Sequence, residues 1–235
     1  MTPSHSLSNR PVGAGRRASS PSRRPWALAA ATLGALLALG GCAGSGPPAY
    51  FTLAEPVPPA EVLRAPGQSP LAIELAPLQM PERWARPQLV VRQAGEAQGR
   101  AHILETARWT STFESELRDA LSAGVAGRLS ALDQSRTPAP RGQVVYRVSV
   151  QMVDFDAELG GQVRAAFNWT LRRADSDERA LACGLAFNQP APDGVDGVAL
   201  ATRRISGQLA AAIARGIAAL ADSRPATGAD AGSCR

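Results

Sequence analysis

Beyond the first forty residues the chain carries few groups that could do chemistry. Of its two histidines, His5 lies in a basic N-terminal stretch, so a Ser-His-Asp or Cys-His mechanism would rest wholly on His102. His102 stands alone at the start of a short strand-like run and reads as a surface imidazole. Asp154, Asp156 and Glu158 form the tightest carboxylate group. Their spacing weakly resembles a calcium loop, but the glycine and the distal glutamate of that motif are missing, and the group reads as a solvated turn. No His/Cys cluster has zinc spacing. Gly160-Gly161 sits between two strand patterns as a hairpin turn and does not open a helix as a phosphate-binding loop would. These residues predict no metal, no cofactor and no catalytic centre.

The cysteines are more informative. Leu39-Gly40-Gly41-Cys42 closes an apolar stretch, Trp26 to Leu39, which follows a basic segment containing Arg10, Arg16, Arg17, Arg23 and Arg24. A basic region, an apolar run of about 14 residues and a small-residue cleavage site form an export signal; a membrane span needs about 20. With cysteine at the junction, the pattern resembles a lipobox. The reading is a signal peptide over residues 1–41, cleavage between Gly41 and Cys42, and acylation of Cys42. Several acyl chains hold a protein on a membrane without a transmembrane helix. Ser22-Arg23-Arg24-Pro25-Trp26-Ala27-Leu28 also resembles a twin-arginine motif, and an ordinary basic leader is preferred. Cys183 and Cys234 remain. An oxidising periplasm could join them, but Cys183 falls on an apolar strand face and Cys234 in a patternless tail. The preferred reading of Cys183 is a small buried hydrophobe.

Charge removes one class of partner. All 25 basic side chains are arginine, and five precede Cys42, where there is no acid. The rest of the chain therefore balances its 20 acidic residues and has no excess charge for nucleic acid.

Residues 42–70 are rich in proline (Pro47, Pro48, Pro56, Pro58, Pro59, Pro66, Pro70) and read as an extended tether. Within it, Tyr50-Phe51-Thr52-Leu53 has strand-like composition and could pack on the body. The body spans 71–222. Leu71 to Leu75, Gln88 to Arg92 and Ala101 to Leu104 are predicted strands. A helix capped by Ser111 and Glu114 carries Phe113, Leu117, Leu121, Val125, Leu129 and Leu132 at helical spacing. Three period-2 runs follow: Val144 to Met152, Val163 to Leu171 and Leu181 to Phe187. They form an antiparallel meander with one apolar face. Phe167 and Trp169 share that face and read as core. A last helix, about Asp196 to Ala221, buries Val198, Ile205, Leu209, Ile213, Ile217 and Leu220, with Gly207 and Gly216 allowing close packing. Residues 223–235 read as a disordered tail. The predicted fold is α+β: a mostly antiparallel sheet with two helices on one face.

In order, the chain shows a lipobox, a short linker, Tyr50-Phe51-x-Leu53, a strand, a helix opening at Trp109, Val148-Ser-Val-Gln-Met-Val-Asp-Phe-Asp156, Gly161-x-Val163 and Ala166-Phe-Asn-Trp-Thr-Leu171. This layout, over roughly residues 42–221, resembles the ABC-type transport auxiliary lipoproteins, the PqiC-like intermembrane transport lipoproteins. The resemblance implies a non-catalytic docking subunit working with an MCE-domain periplasmic protein, an ABC permease and an ATPase. Such systems move phospholipid or other hydrophobic cargo between inner and outer membranes. The implied place is the periplasmic face of the outer membrane, consistent with Ala43 after the acylated cysteine, and homo-oligomerisation stays open. Two other classes compete: an outer-membrane assembly lipoprotein that partners a β-barrel, and a lipid-anchored hydrolase, which the lone His102 disfavours.

Overall fold

The computed structural model describes residues 46–54, 63, 70–96, 99–135, 142–176, 181–222 and 233–234. The expected signal peptide, with Leu39, Gly40, Gly41 and Cys42, and most of the expected tether lie outside them.

The strands run β1 (Ala49–Phe51), β2 (Leu71–Leu75), β3 (Gln88–Gln93), β4 (His102–Trp109), β5 (Leu132–Asp133), β6 (Val144–Leu159), β7 (Gln162–Arg173), β8 (Leu181–Pro190) and β9 (Ser233–Cys234). The helices are α1 (Phe113–Leu129) and α2 (Gly194–Ala221). The predicted meander is present: β6, β7 and β8 pair antiparallel in register from Tyr146↔Arg173 to Gln162↔Pro190. The sheet as a whole is mixed. One edge of the long strand β6 pairs parallel with β2 at its start (Leu71↔Val144) and with β3 at its end (Arg92↔Glu158). β4 pairs antiparallel with β3, and β1 pairs parallel with β4.

Alternation explains which face is covered. Tyr146, Val148, Val150 and Met152 on β6 and Val163, Ala165, Phe167, Trp169 and Leu171 on β7 are buried. Their neighbours Arg147, Ser149, Gln151, Asn168 and Thr170 are exposed. A bulge between Met152 and Asp154 shifts the register. Val153 therefore turns outward at 49 % exposure, and Phe155 and Ala157 take over the buried face. Asp154, Asp156 and Glu158 thus lie on a strand. The solvated turn expected there is corrected.

Both helices cover the apolar face. α1 starts one residue later than the sequence implies: Thr112 is the cap, its hydroxyl accepting from Ser115 N. Trp109 ends β4 and does not lead the helix. Ser130, at φ 48, stops α1, so Leu132 falls in β5 at 49 % exposure and not on the helical stripe. Phe113, Leu117, Leu121, Val125 and Leu129 are buried as their spacing requires. On α2 the stripe Val198, Ile205, Leu209, Ile213 and Ile217 is buried. A Cβ at Gly216 would lie 2.7 Å from Leu171 Cδ1, and one at Gly124 would lie 2.8 Å from Ala210 Cβ. These two glycines set the helix–sheet and helix–helix approach. Gly207, expected to do the same, faces open space. Phe167 and Trp169 are both 2 % exposed and belong to the core. Trp84, Phe155, Phe113 and Trp109 form a chain of ring contacts at 5.0–5.4 Å. No helix of the described residues is long and apolar enough to cross a membrane.

Candidate functional site

The first place where structure bears on function is the junction between tether and body. Leu53 is 1 % exposed, so its apolar side chain inserts into the core, while Tyr50 is 60 % exposed. Thr110 N donates to Phe51 O at 2.8 Å, continuing the β1–β4 ladder. The carboxylate of Glu116, in the first turn of α1, reaches this segment. It accepts from Leu53 N and Thr52 Oγ1, both at 2.9 Å, from Ser111 Oγ at 3.2 Å, and from Thr110 Oγ1. From α2, Arg203 Nη2 donates to Thr52 O at 2.9 Å. Further along, Leu63 N donates to Arg128 O at 2.7 Å. Within the segment read as an extended tether, the Tyr50-Phe51-Thr52-Leu53 island expected to be able to pack on the body does so, and the chain is fixed at Ala49–Leu53 and again at Leu63.

Glu116 is 7 % exposed. Desolvation pushes its pKa up, but the bonds from Thr110, Leu53, Thr52 and Ser111 outweigh that and hold it below its usual value. Sequence reasoning missed this residue. The signal was available: Glu116 follows Phe113 by three positions and adjoins Leu117, so it is a charge on the buried stripe.

The second feature is an arginine-carboxylate cluster on the open face of the sheet. Arg92 of β3 is only 7 % exposed. Its Nε and Nη2 donate to the two oxygens of Asp156 at 3.1 and 3.0 Å, and Nη2 also reaches Glu158 at 2.9 Å. Arg164 Nη2 donates to Asp156 at 2.6 Å. This pairing follows from register, since Arg92 lies opposite Glu158 and Asp156 opposite Arg164. Desolvation raises the Asp156 pKa, but Arg92 and Arg164 bring it below the ordinary value. The bonds from Asp156 and Glu158 raise that of Arg92. Above the cluster opens a cleft of about 640 Å³.

His102 opens β4 and its Nε2 lies 2.8 Å from Glu96 Oε2. Among the described residues no group of three or more His, Cys, Asp or Glu side chains is arranged to hold a metal. Cys183 and Cys234 form a disulfide, against the preferred reading of Cys183 as an unpaired hydrophobe. Cys183 is indeed buried, at 6 %. The tail supplies what its sequence pattern concealed: Ser233–Cys234 pairs with Cys183–Gly184 as a short edge strand, β9.

The model of the ABC-type transport auxiliary lipoprotein component matches residues 51–214. The chain belongs to this family. The match begins at Phe51, in the segment that Glu116 clamps, and ends within α2. The fold also matches two solved structures. One is protein XCC0632 from Xanthomonas campestris, at 17 % identity and TM-score 0.54, covering 74 % of this chain and 98 % of that one. The other is a protein described as uncharacterized, at 18 % identity and TM-score 0.55, covering 73 % of this chain and 99 % of that one. No curated protein matches. Membership makes this auxiliary lipoprotein a component of an ABC-type transport system and places it in the cell envelope.

Proposed function

We propose that this auxiliary lipoprotein is the lipid-anchored, non-catalytic docking subunit of an MCE-type ABC transport system. Cleavage between Gly41 and Cys42 and acylation of Cys42 would fix its N-terminus in the outer membrane, facing the periplasm. Its body would receive the MCE-domain partner, which connects to the permease and ATPase. The cargo is phospholipid or another hydrophobic molecule.

The observation that carries this reading is the family match together with the clamp at Ala49–Leu53. Six residues, 43–48, separate Cys42 from Ala49. At most about 3.6 Å per residue step, the seven steps reach about 25 Å. A body pinned that near its anchor is held close to the bilayer, as a docking end-piece should be, and does not float on a long tether. The test is affinity purification of the tagged, lipidated protein from its own envelope, followed by mass spectrometry. Co-enrichment of an MCE-domain protein with its permease and ATPase is the expected result. A β-barrel or cell-wall factor in their place, with no MCE protein, would overturn it in favour of an assembly role.

A further inference from the structure

The cleft over the arginine-carboxylate cluster has the chemistry of a ligand site. Its volume of about 640 Å³ falls within the ~300–1,000 Å³ range of small-molecule pockets. Its charged lining is unequal: Arg83, Arg86, Arg92, Arg100 and Arg164 against Asp154 and Asp156. Arg92 and Arg164 are committed to Asp156, and Arg100 lies 3.8 Å from Glu96. Arg83 and Arg86 have no carboxylate partner among the described residues. Arg83 rests 5.4 Å over the Trp84 ring.

Two further donors at this cleft lack acceptors. Arg86 Nε and the indole Nε1 of Trp84 are buried without a hydrogen-bond partner, and Trp84 is only 8 % exposed. Both residues line the cleft, and buried donors left without acceptors are costly. Phe155, Val90 and Ile103 also line the cleft, with Ile103 left 46 % exposed. A hydrated inorganic ion has no use for that apolar wall, and a neutral chain has no use for the guanidiniums.

We propose that this cleft binds a small amphiphile whose oxyanion head, phosphate or carboxylate, is held by Arg83 and Arg86 and whose apolar part lies along Val90, Ile103 and Phe155. Arginine's planar fork suits either oxyanion. The inference rests on the cleft alone and not on the identity of the transport partners.

The test is calorimetric titration of the whole chain from residue 42 onward, carrying Cys42→Ser so that no detergent competes. The probes are dodecyl phosphate, dodecanoate, dodecyl maltoside and inorganic phosphate, each below any micelle-forming concentration. At least one of the two anionic amphiphiles should bind about tenfold or more tightly than both the maltoside and inorganic phosphate, and the tighter of the two identifies the head. Arg83→Gln with Arg86→Gln should weaken that binding about tenfold or more. Ile103→Asp, which puts a negative charge at an exposed position of the wall, should do the same. Thermal melts of the variants establish that they fold. Equal binding of the maltoside, equal binding of inorganic phosphate (an adventitious ion only), insensitivity to the variants, or no saturable binding would each overturn the proposal. If the double variant instead loses MCE capture while no amphiphile binds, the cleft is a protein-docking surface and the amphiphile is abandoned. If amphiphile binding holds while no MCE partner is captured, the docking reading fails and this inference stands.

Discussion

Glu116 meets four donors from two places in the sequence, 52–53 and 110–111, and its removal would strand them. Leu53 N is buried with it, and the hydroxyls of Thr52, Thr110 and Ser111 point at the same two oxygens. Leaving a buried donor unsatisfied costs about 1–3 kcal/mol. Glu116→Ala should therefore lower the free energy of unfolding by about 2–3 kcal/mol, read from urea midpoints, and speed hydrogen exchange at Leu53. Glu116→Gln keeps the shape but turns an amide donor toward donors, so it should not restore wild-type stability; full recovery would refute the clamp. Acid should do what the substitution does. Glu116 and Asp156 have folded-state pKa values below their ordinary 4.5 and 3.8. Their ionised forms are thus stabilised by folding. That contribution is complete above the ordinary values and is lost as pH falls from about 4.5 through the folded-state values. Urea midpoints should be flat near neutrality and fall below about pH 4.5, less steeply in Glu116→Ala. A midpoint that rises on acidification would contradict this. At this scale the sequence conceals partners more than residues. Asp154, Asp156 and Glu158 stand out as a group, yet nothing near them names Arg92, which lies 64 positions from Asp156 and meets it only through the parallel pairing of β3 with β6.

Among the elements, two glycines within helices test how closely the layers pack. Alanine favours a helix interior over glycine by about 1 kcal/mol. At Gly207 of α2 an added methyl meets nothing within 4 Å, so Gly207→Ala should stabilise by about 0.5–1 kcal/mol. At Gly124 of α1 the same methyl would lie 2.8 Å from Ala210 Cβ. A Cβ cannot rotate away, so α1 and α2 must separate, at about 1–3 kcal/mol. Gly124→Ala should be net destabilising, and opposite signs from one substitution in two helices would appear directly in paired thermal melts. Stabilisation by both would mean that α1 does not pack against α2 as described. The same elements show where pattern suffices. The buried stripes of α1 and α2 and the meander were legible because each follows one period over many residues, and burial enforces it. The bulge in β6 was also written in the chain: apolar residues occupy even positions to Met152 and odd positions from Phe155, a change of parity that only an extra residue allows. The parallel pairings of β2 and β3 with β6 had no such trace. Pairing across a crossover is decided by which faces the helices cover, and local alternation is the same for either direction.

At the scale of the whole molecule, if Cys42 carries the lipid anchor proposed above, where the chain is pinned decides how far the body can stand from a membrane. A tether free over residues 42–70 would reach about 90 Å or more when extended. With the anchor proposed at Cys42, the Ala49–Leu53 clamp leaves six intervening residues, 43–48, and a reach of about 25 Å. The proline-rich composition that suggested a long spacer is interrupted by a strand of only three residues, β1, too short for alternation but marked by the strand-like composition of Tyr50-Phe51-Thr52-Leu53. Its hold comes from Glu116 and Arg203, more than sixty positions away at the nearest. If the reach matters, an insertion acts according to which side of the clamp it falls on. Eight Gly/Ser residues between Gly46 and Ala49 would roughly double the span to the membrane while leaving every bond of the clamp intact. The same eight between Pro56 and Pro58 would lengthen the chain that links Ala54 to Leu63, beyond the clamp, at a closure cost well under about 1 kcal/mol, and would leave the reach unchanged. Both variants should melt like the unaltered protein and both should remain in the membrane fraction. Only the first should lose capture of the transport partner in a pull-down from intact envelopes. Equal capture by both would show that height above the bilayer is not what the clamp sets. Loss in both would move the docking surface to the segment around Pro56.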